Sequence, residues 1–339
     1  MAEDKAALAT DFVKQLAALH KLDAADPAFA ELGDASELPS QRITANVAKW
    51  QATNLAAGAD PILQIALDWL ARHVPEDAGP VVVLHGDAGP GNFLFEGNCV
   101  AALIDWELTH LGDPAEDLAQ IWVRSLIQPF VPMRDVLAAY AAASRSAPDL
   151  ARIKYHRLYF QMSFLVAGAA AAAAGSQVGA SASALLYGTM HRRVIVRALA
   201  ELSGITLVNP PLPQIEADWT DPYFSAALET LKIDILPAAA DQRGAAKAKD
   251  LARLVKFWRR RASHGAAFDA AEISEIKSLL PTAPSSLIPA RAALGNAIAE
   301  GAVDFSAALQ LCHNRALRET FVMADAMGAL ATTWYEDIG

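Results

Sequence analysis

The apolar positions near the N-terminus recur at helical spacing. Leu8, Phe12, Leu16 and Leu19 lie on one face, which predicts an amphipathic opening helix. From about residue 21 to 60 the pattern is mixed and weak. Asp60-Pro61 then supplies an N-cap and a first-turn proline, with Ile62, Ile65, Ala66, Trp69 and Leu70 following at helical spacing. The prolines from Pro75 to Pro80 end that helix. At Val81 the texture changes. Val81, Val82, Val83 and Leu84 form a β-branched run that reads as a buried strand. Asn92 to Glu96 and Val100 to Asp105 read as two more strands, turned by Glu96-Gly97-Asn98. Residues 81–106 are the one convincing β region.

Helical patterning resumes at Asp113. Asp113-Pro114, with Glu116 three residues after the cap, has the order of a capping box. Further helices are predicted over about 131–143, 148–174 and 178–203. Val208 to Trp219 is proline-rich and cannot continue a helix, so a linker is expected over 208–220. That divides the chain into domains at 1–207 and 221–339. The second reads as helices only, the clearest with Leu251, Leu254, Val255 and Trp258 on one face. Its cationic positions near Arg253–Arg261 read first as a solvated face, with phosphate or coenzyme A contact as the alternative. The expected fold class is mainly α with a small β-hairpin region.

Composition adds exclusions. The 339 residues are 53% hydrophobic and 19% charged, which excludes a disordered chain. Acidic residues outnumber basic ones for a net charge of −10, so nucleic acid is not an expected partner. The two cysteines, Cys99 and Cys312, make neither a disulfide framework nor a metal site, and Cys99 is expected to pack in the hairpin. The opening MAEDKAALATDFVKQL has no basic or apolar leader region, so a cytoplasmic location is expected. The most apolar stretch, Phe164 to Gly175, is too short to span a bilayer and reads as a buried helix end; no membrane partner is expected.

The purposeful polar residues concentrate in the β region and just beyond it. The string LHGDAGPGNFLFEGNCVAALIDWELTHLGDPAEDLA, Leu84 to Ala119, places His85-Gly86-Asp87 at a strand end. A tight Gly89-Pro90-Gly91 loop returns Asn92 beside Asp87, and the hairpin delivers Asp105 to the same edge. Two carboxylates and an amide oxygen converge there. Hard oxygens suit Mg²⁺, and phosphoryl transfer needs one carboxylate for the hydroxyl proton and others for the metal.

This stretch resembles the aminoglycoside-phosphotransferase-like kinases, with their His-x-Asp-x-x-x-x-Asn followed by a metal-binding Asp. The wording IDWELTHLGDPAEDLA is similar to the subgroup akin to kinase-like domains fused to some acyl-CoA dehydrogenases. The resemblance implies a protein-kinase-like C-lobe, Asp87 as catalytic base, Asn92 and Asp105 as Mg²⁺ ligands, and His85 as a structural member of the loop. It sets Glu107 close to the metal and makes Asp113 and Asp117 supports from the following helix. Asp113 is read first as an N-cap, Asp117 as a buried acceptor and His110 as a surface or loop residue. Tyr155, His156 and Tyr159 are either cleft residues or one polar turn of a long helix. The resemblance extends loosely over residues 4–205 and implies ATP, or another nucleoside triphosphate, with Mg²⁺.

Such a kinase also needs a nucleotide lobe, with a phosphate-covering turn and a strand lysine. The sequence before His85 shows neither, and residues 221–339 look like a small helical domain of unassigned function. The expected function is therefore a phosphotransferase acting on a small-molecule hydroxyl, hydroxyacyl-CoA-like rather than an aminoglycoside, with a separate chain as one source of the missing lobe. A truncated start is another source. The alternatives are a non-catalytic binding or regulatory protein derived from a kinase, and a metal-dependent phosphohydrolase using Asp87, Asn92 and Asp105.

Overall fold

A computed structural model describes residues 2–77, 79–176, 181–214 and 219–338. The fold is mainly α with two small two-stranded sheets. The chain forms two compact units, the first from residues 1–49, 70–163 and 333–339, the second from 50–69 and 164–332. Among the described residues no helix is long and apolar enough to cross a membrane.

In the first unit the opening helix α1 (Ala2–Leu19) buries Leu8, Phe12 and Leu16 of the predicted face, together with Val13, and leaves Leu19 half-buried. Phe12 meets Phe93 with ring centroids 4.9 Å apart, which docks the helix on the hairpin. Helix α2 (Pro39–Ala56) lies in the stretch without a predicted element. Its buried aliphatic positions, Ile43 and Val47, are too sparse to make a legible stripe. Helix α3 (Pro61–Arg72) follows the Asp60 cap and belongs for the most part to the second unit. Strand β1 (Val82–Leu84) is wholly buried. Strands β2 (Phe93–Glu96) and β3 (Cys99–Leu103) form the predicted hairpin, with an irregularity between Leu94 and Phe95.

A fourth strand, β4 (His110–Gly112), pairs antiparallel with β1, Leu84 opposite His110. No β-branched residue marks it, because it is made by its partner rather than by local preference. His110 is thus a half-buried strand residue rather than a surface or loop position. Cys99 is exposed rather than packed in the hairpin. Helices α4 (Pro114–Arg124), α5 (Met133–Ser144) and α6 (Leu150–Ala173) follow. Arg157 of α6 lies over the rings of Trp122 and Tyr335, 4.5 and 4.0 Å from their centroids, and this holds the C-terminal tail.

In the second unit the end of α6 buries Leu165 and Val166, but most of the stretch from Ala167 to Gly175 is exposed or half-exposed. Alanine sustains a helix without a core to pack against, so that segment is not the buried helix end it resembles. Helix α7 is Ala182–Ser203; residues 177–180 of the predicted helix lie outside the described residues. Residues 208–214 have no regular structure, and 215–218 lie outside the described residues. Gln310 bonds both the N–H and the C=O of Val208. Helices α8 (Asp221–Thr230), α9 (Gln242–Leu279), α10 (Leu287–Ala299) and α11 (Phe305–Met327) complete the unit. α9 and α7 pack on α11. On α9 Val255 is buried, but Leu251 and Trp258 are exposed. The expected solvated cationic face is instead paired. Arg259 bonds Asp221, Arg260 bonds Asp325 and Arg261 bonds Asp269.

Candidate functional site

The site is built where β1 ends. Gly86 sits at φ +81°, and a Cβ there would lie 1.9 Å from the carbonyl oxygen of Leu108, so only glycine fits. This lets the chain turn sharply after His85 and present Asp87. Asn92 returns beside it and donates from Nδ2 to the Asp87 carboxylate at 2.7 Å and to the Asp87 carbonyl at 2.9 Å.

The position of Asp105 is keyed through its neighbour. The N–H of Ile104 donates to the carbonyl of Asn92 at 3.0 Å, and His85 Nε2 bonds the carbonyl of Ile104 at 2.9 Å. One residue therefore ties both His85 and Asn92 to the hairpin, and Asp105 follows it directly. Asp105 adopts a left-handed backbone, φ 69° and ψ 55°, which ends the strand and starts the turn Trp106–Leu108. Its carboxylate is exposed and makes no hydrogen bond or ion pair among the described residues. Glu107 lies in that turn and is exposed.

His85 is buried, with its ring against Trp106 at 4.7 Å between centroids. Its Nδ1 accepts from the N–H of Asp87 at 3.3 Å, which together with the Ile104 bond fits a neutral ring protonated on Nε2. The histidine is thus a structural pin of the loop.

Helix α4 braces the loop from below. Asp113 caps it by accepting from the N–H of Ala115, and Glu116 completes the capping box. Asp117 is fully buried and accepts from the N–H groups of His85 and Gly86 at 2.9 and 3.0 Å. Burial opposes its charge, yet the hydrogen bond and charge of His20 and those two N–H groups hold it below the usual carboxylate range. Gln120 accepts from the N–H of Ala88 at 2.9 Å.

Two side chains that hold the loop escape the sequence reading. Arg124 bonds Asp87 Oδ1 from Nη1, and its Nη2 reaches the carbonyl of Pro90 at 3.0 Å and Asn92 Oδ1 at 3.3 Å. A Cβ at Gly89 would lie 2.7 Å from Arg124 Cδ, so that glycine makes room for the arginine. His20 bridges Tyr140 and Asp117 at 2.8 and 3.0 Å. A signal for Arg124 was present. Asp117, Gln120 and Arg124 are spaced three and four apart, a polar stripe on one face of a capped helix, and all three touch the loop. His20 carries no such signal, since its partner is far away in sequence.

Tyr155, His156 and Tyr159 are all buried. The His156 ring packs edge-on to both tyrosines, 3.7 Å from Asp113, while Tyr155 bonds the Leu70 carbonyl. They support the cap instead of lining an open cleft.

The sequence profile of the phosphotransferase enzyme family, APH, matches residues 1–156. That segment, just under half of the chain, resembles the family. Among curated proteins, rat (Rattus norvegicus) acyl-CoA dehydrogenase family member 11 is 29% identical over 130 residues, 36% of this chain and 16% of the rat protein. The chain thus spans about a sixth of that relative's length. Among solved structures, a Ralstonia eutropha protein provisionally assigned as an aminoglycoside phosphotransferase is 18% identical, with a TM-score of 0.48 over 59% of this chain and 65% of that one. The macrolide 2'-phosphotransferase MphH from Brachybacterium faecium is 22% identical, with a TM-score of 0.39 over 62% of this chain and 63% of that one. The whole string from His85 to Asp117 lies inside the APH segment.

APH-family phosphotransferases imply a nucleotide and a divalent metal. The donor set here suits such an ion. Asn92 Oδ1 accepts only the longer Arg124 contact, the Asp105 carboxylate is unengaged, and both are hard oxygens.

Proposed function

We propose that the first unit is the catalytic half of an ATP- and Mg²⁺-dependent phosphotransferase acting on a small-molecule hydroxyl. The observation that carries this reading is the Asp87–Asn92 pair, locked at 2.7 Å beside a strand end that presents Asp105. In it, Asp87 is the base that orients the acceptor hydroxyl and takes its proton. Asn92 and Asp105 would hold Mg²⁺, with Glu107 beside them, and the ion would neutralise charge on the phosphates. His85 and Asp117 fix the loop, because a misplaced base loses most of the gain from positioning. A nucleotide lobe from another segment or a separate chain completes the site. The rat relative's name favours a hydroxyacyl-CoA-like acceptor over an aminoglycoside.

One observation favours a second reading, a non-catalytic binding protein. Both Asp87 carboxylate oxygens are engaged, Oδ1 by Arg124 and Oδ2 by Asn92. Catalysis requires Arg124 to yield Oδ1 when the acceptor arrives.

The test is ATP-dependent phosphorylation of hydroxyl acceptors by the natural protein with its nucleotide lobe. Asp87→Asn is expected to lower turnover by about 10³-fold or more while Mg·ATP affinity stays within a few-fold. Unchanged turnover in Asp87→Asn overturns the assignment. Mn²⁺ binding followed by electron paramagnetic resonance should weaken in Asp105→Asn; equal binding overturns the metal role.

A further inference from the structure

The second unit holds a cavity of about 370 Å³, the size of a small-ligand pocket. Its lining includes the apolar side chains of Leu185, Phe257, Phe268, Leu287, Ile288 and Val322. It also carries Arg192, Arg261, Arg291, Arg315 and Arg318. Four of these are spoken for by paired carboxylates. Arg261 forks onto Asp269, Arg291 onto Glu272, Arg315 onto Asp60 and Arg318 onto Glu275. A fifth carboxylate, Glu319, accepts from Arg315 Nε at 2.8 Å and contacts Arg291 at 3.3 Å.

Arg192 is the exception. Asp60 gives both its oxygens to Arg315 at 3.0 Å and leaves Arg192 one contact at 3.4 Å. Arg192 Nε is buried with no hydrogen-bond partner, a costly state for a guanidinium. Gly188 makes room for it, since a Cβ there would lie 3.0 Å from Arg192 Nη1. The cavity thus offers one under-paired, preorganised fork beside an apolar wall. Asp60 and Glu319 both sit below the usual carboxylate range. Burial opposes this shift, but the arginines outweigh it, Arg192 among them.

The ligand class follows from this arithmetic. A phosphate or polyphosphate would have to strip further arginines from their carboxylates. A single carboxylate needs only the under-paired guanidinium of Arg192, which Asp60 meets at one 3.4 Å contact, and its apolar body covers the apolar lining. We infer that this cavity binds a monocarboxylate with an apolar body, its head on Arg192 and its chain along Leu185, Phe257 and Ile288.

The test is calorimetric titration of decanoate into the full chain at neutral pH, with methyl decanoate and inorganic phosphate as controls. Saturable binding of decanoate is expected, with the ester about tenfold weaker or worse because it cannot take the charged fork. Arg192→Gln should weaken decanoate by a similar factor. Ile288→Asp, at a wall position 69% exposed, puts a charge against the chain without disturbing the core and should also weaken it. Absence of decanoate binding overturns the inference. So does an ester that binds as well as the acid, phosphate that binds as well as decanoate, or equal binding by both variants. If Arg192→Gln does not fold, the Ile288→Asp comparison decides.

Discussion

At the residue scale the site depends on two glycines and an arginine. Gly86 combines a left-handed φ with a carbonyl 1.9 Å from where a Cβ would stand. Both costs fall on any other residue, so Gly86→Ala should destabilise the first unit by at least about 2 kcal/mol. Urea unfolding with tryptophan emission reads this, and a loss below 1 kcal/mol would mean that the loop has another conformation within easy reach. Gly89 differs, because the atom it avoids belongs to the Arg124 side chain. The His-Gly-Asp triplet and Asn92 were legible because spacing and turn chemistry placed them. For Arg124 the three-and-four spacing from Asp117 and Gln120 marks a polar stripe, but nothing local says whether a helix-end arginine turns to solvent or to a carboxylate.

At the element scale α4 is the strut of the His85–Asn92 loop. Its capping box was readable from Asp113-Pro114 and Glu116, since caps are local. The further duty of Asp113 was not, for its partner Arg152 comes from α6. Burial works against the Asp113 charge, but His156, the Ala115 N–H and Arg152 keep its carboxyl below the usual range. Asp113→Asn should keep the cap and lose the charge, while Asp113→Ala loses both. The alanine variant is expected to be less stable than the asparagine one by about 1 kcal/mol, the worth of the cap. Thermal melts of the two variants measure it, and equal stability would show that the ion pair alone matters. The strand β4 was missed for the same reason that Arg152 was: three residues with no β preference become a strand when β1 lies alongside.

At the scale of the whole molecule the two units answer pH in opposite ways. In the first, burial pulls His110 down, but its bonds to Glu116 and the Leu108 carbonyl raise it to about 8 from 6.5. A raised histidine contributes stability that is complete below about 6.5 and lost as pH climbs through about 8. In the second, burial alone drops His191 to about 4. A lowered histidine is worth most above 6.5, and that share is lost as pH falls from 6.5 towards 4. Between pH 6.5 and 8.5 the first unit should therefore weaken with rising pH, and His110→Gln should flatten that slope. Between 6.5 and 4.5 the second should weaken with falling pH, and His191→Phe should flatten that limb. Hydrogen exchange resolved by segment across pH checks both, and a single common pH profile for the two units would defeat the assignment.

The sequence by itself determined what depends on near neighbours: the helical excess, the hairpin, the cap of α4 and the spacing of Asp87, Asn92 and Asp105. Backbone preference and turn chemistry act over a few residues, so a string of letters carries them. Only the tertiary structure decided which charges meet. It set Arg124 on Asp87, His20 under Asp117 and Arg315 on Asp60 with Arg192 left over. Those pairings span tens to hundreds of residues, and a long side chain can reach in many directions until packing removes all but one.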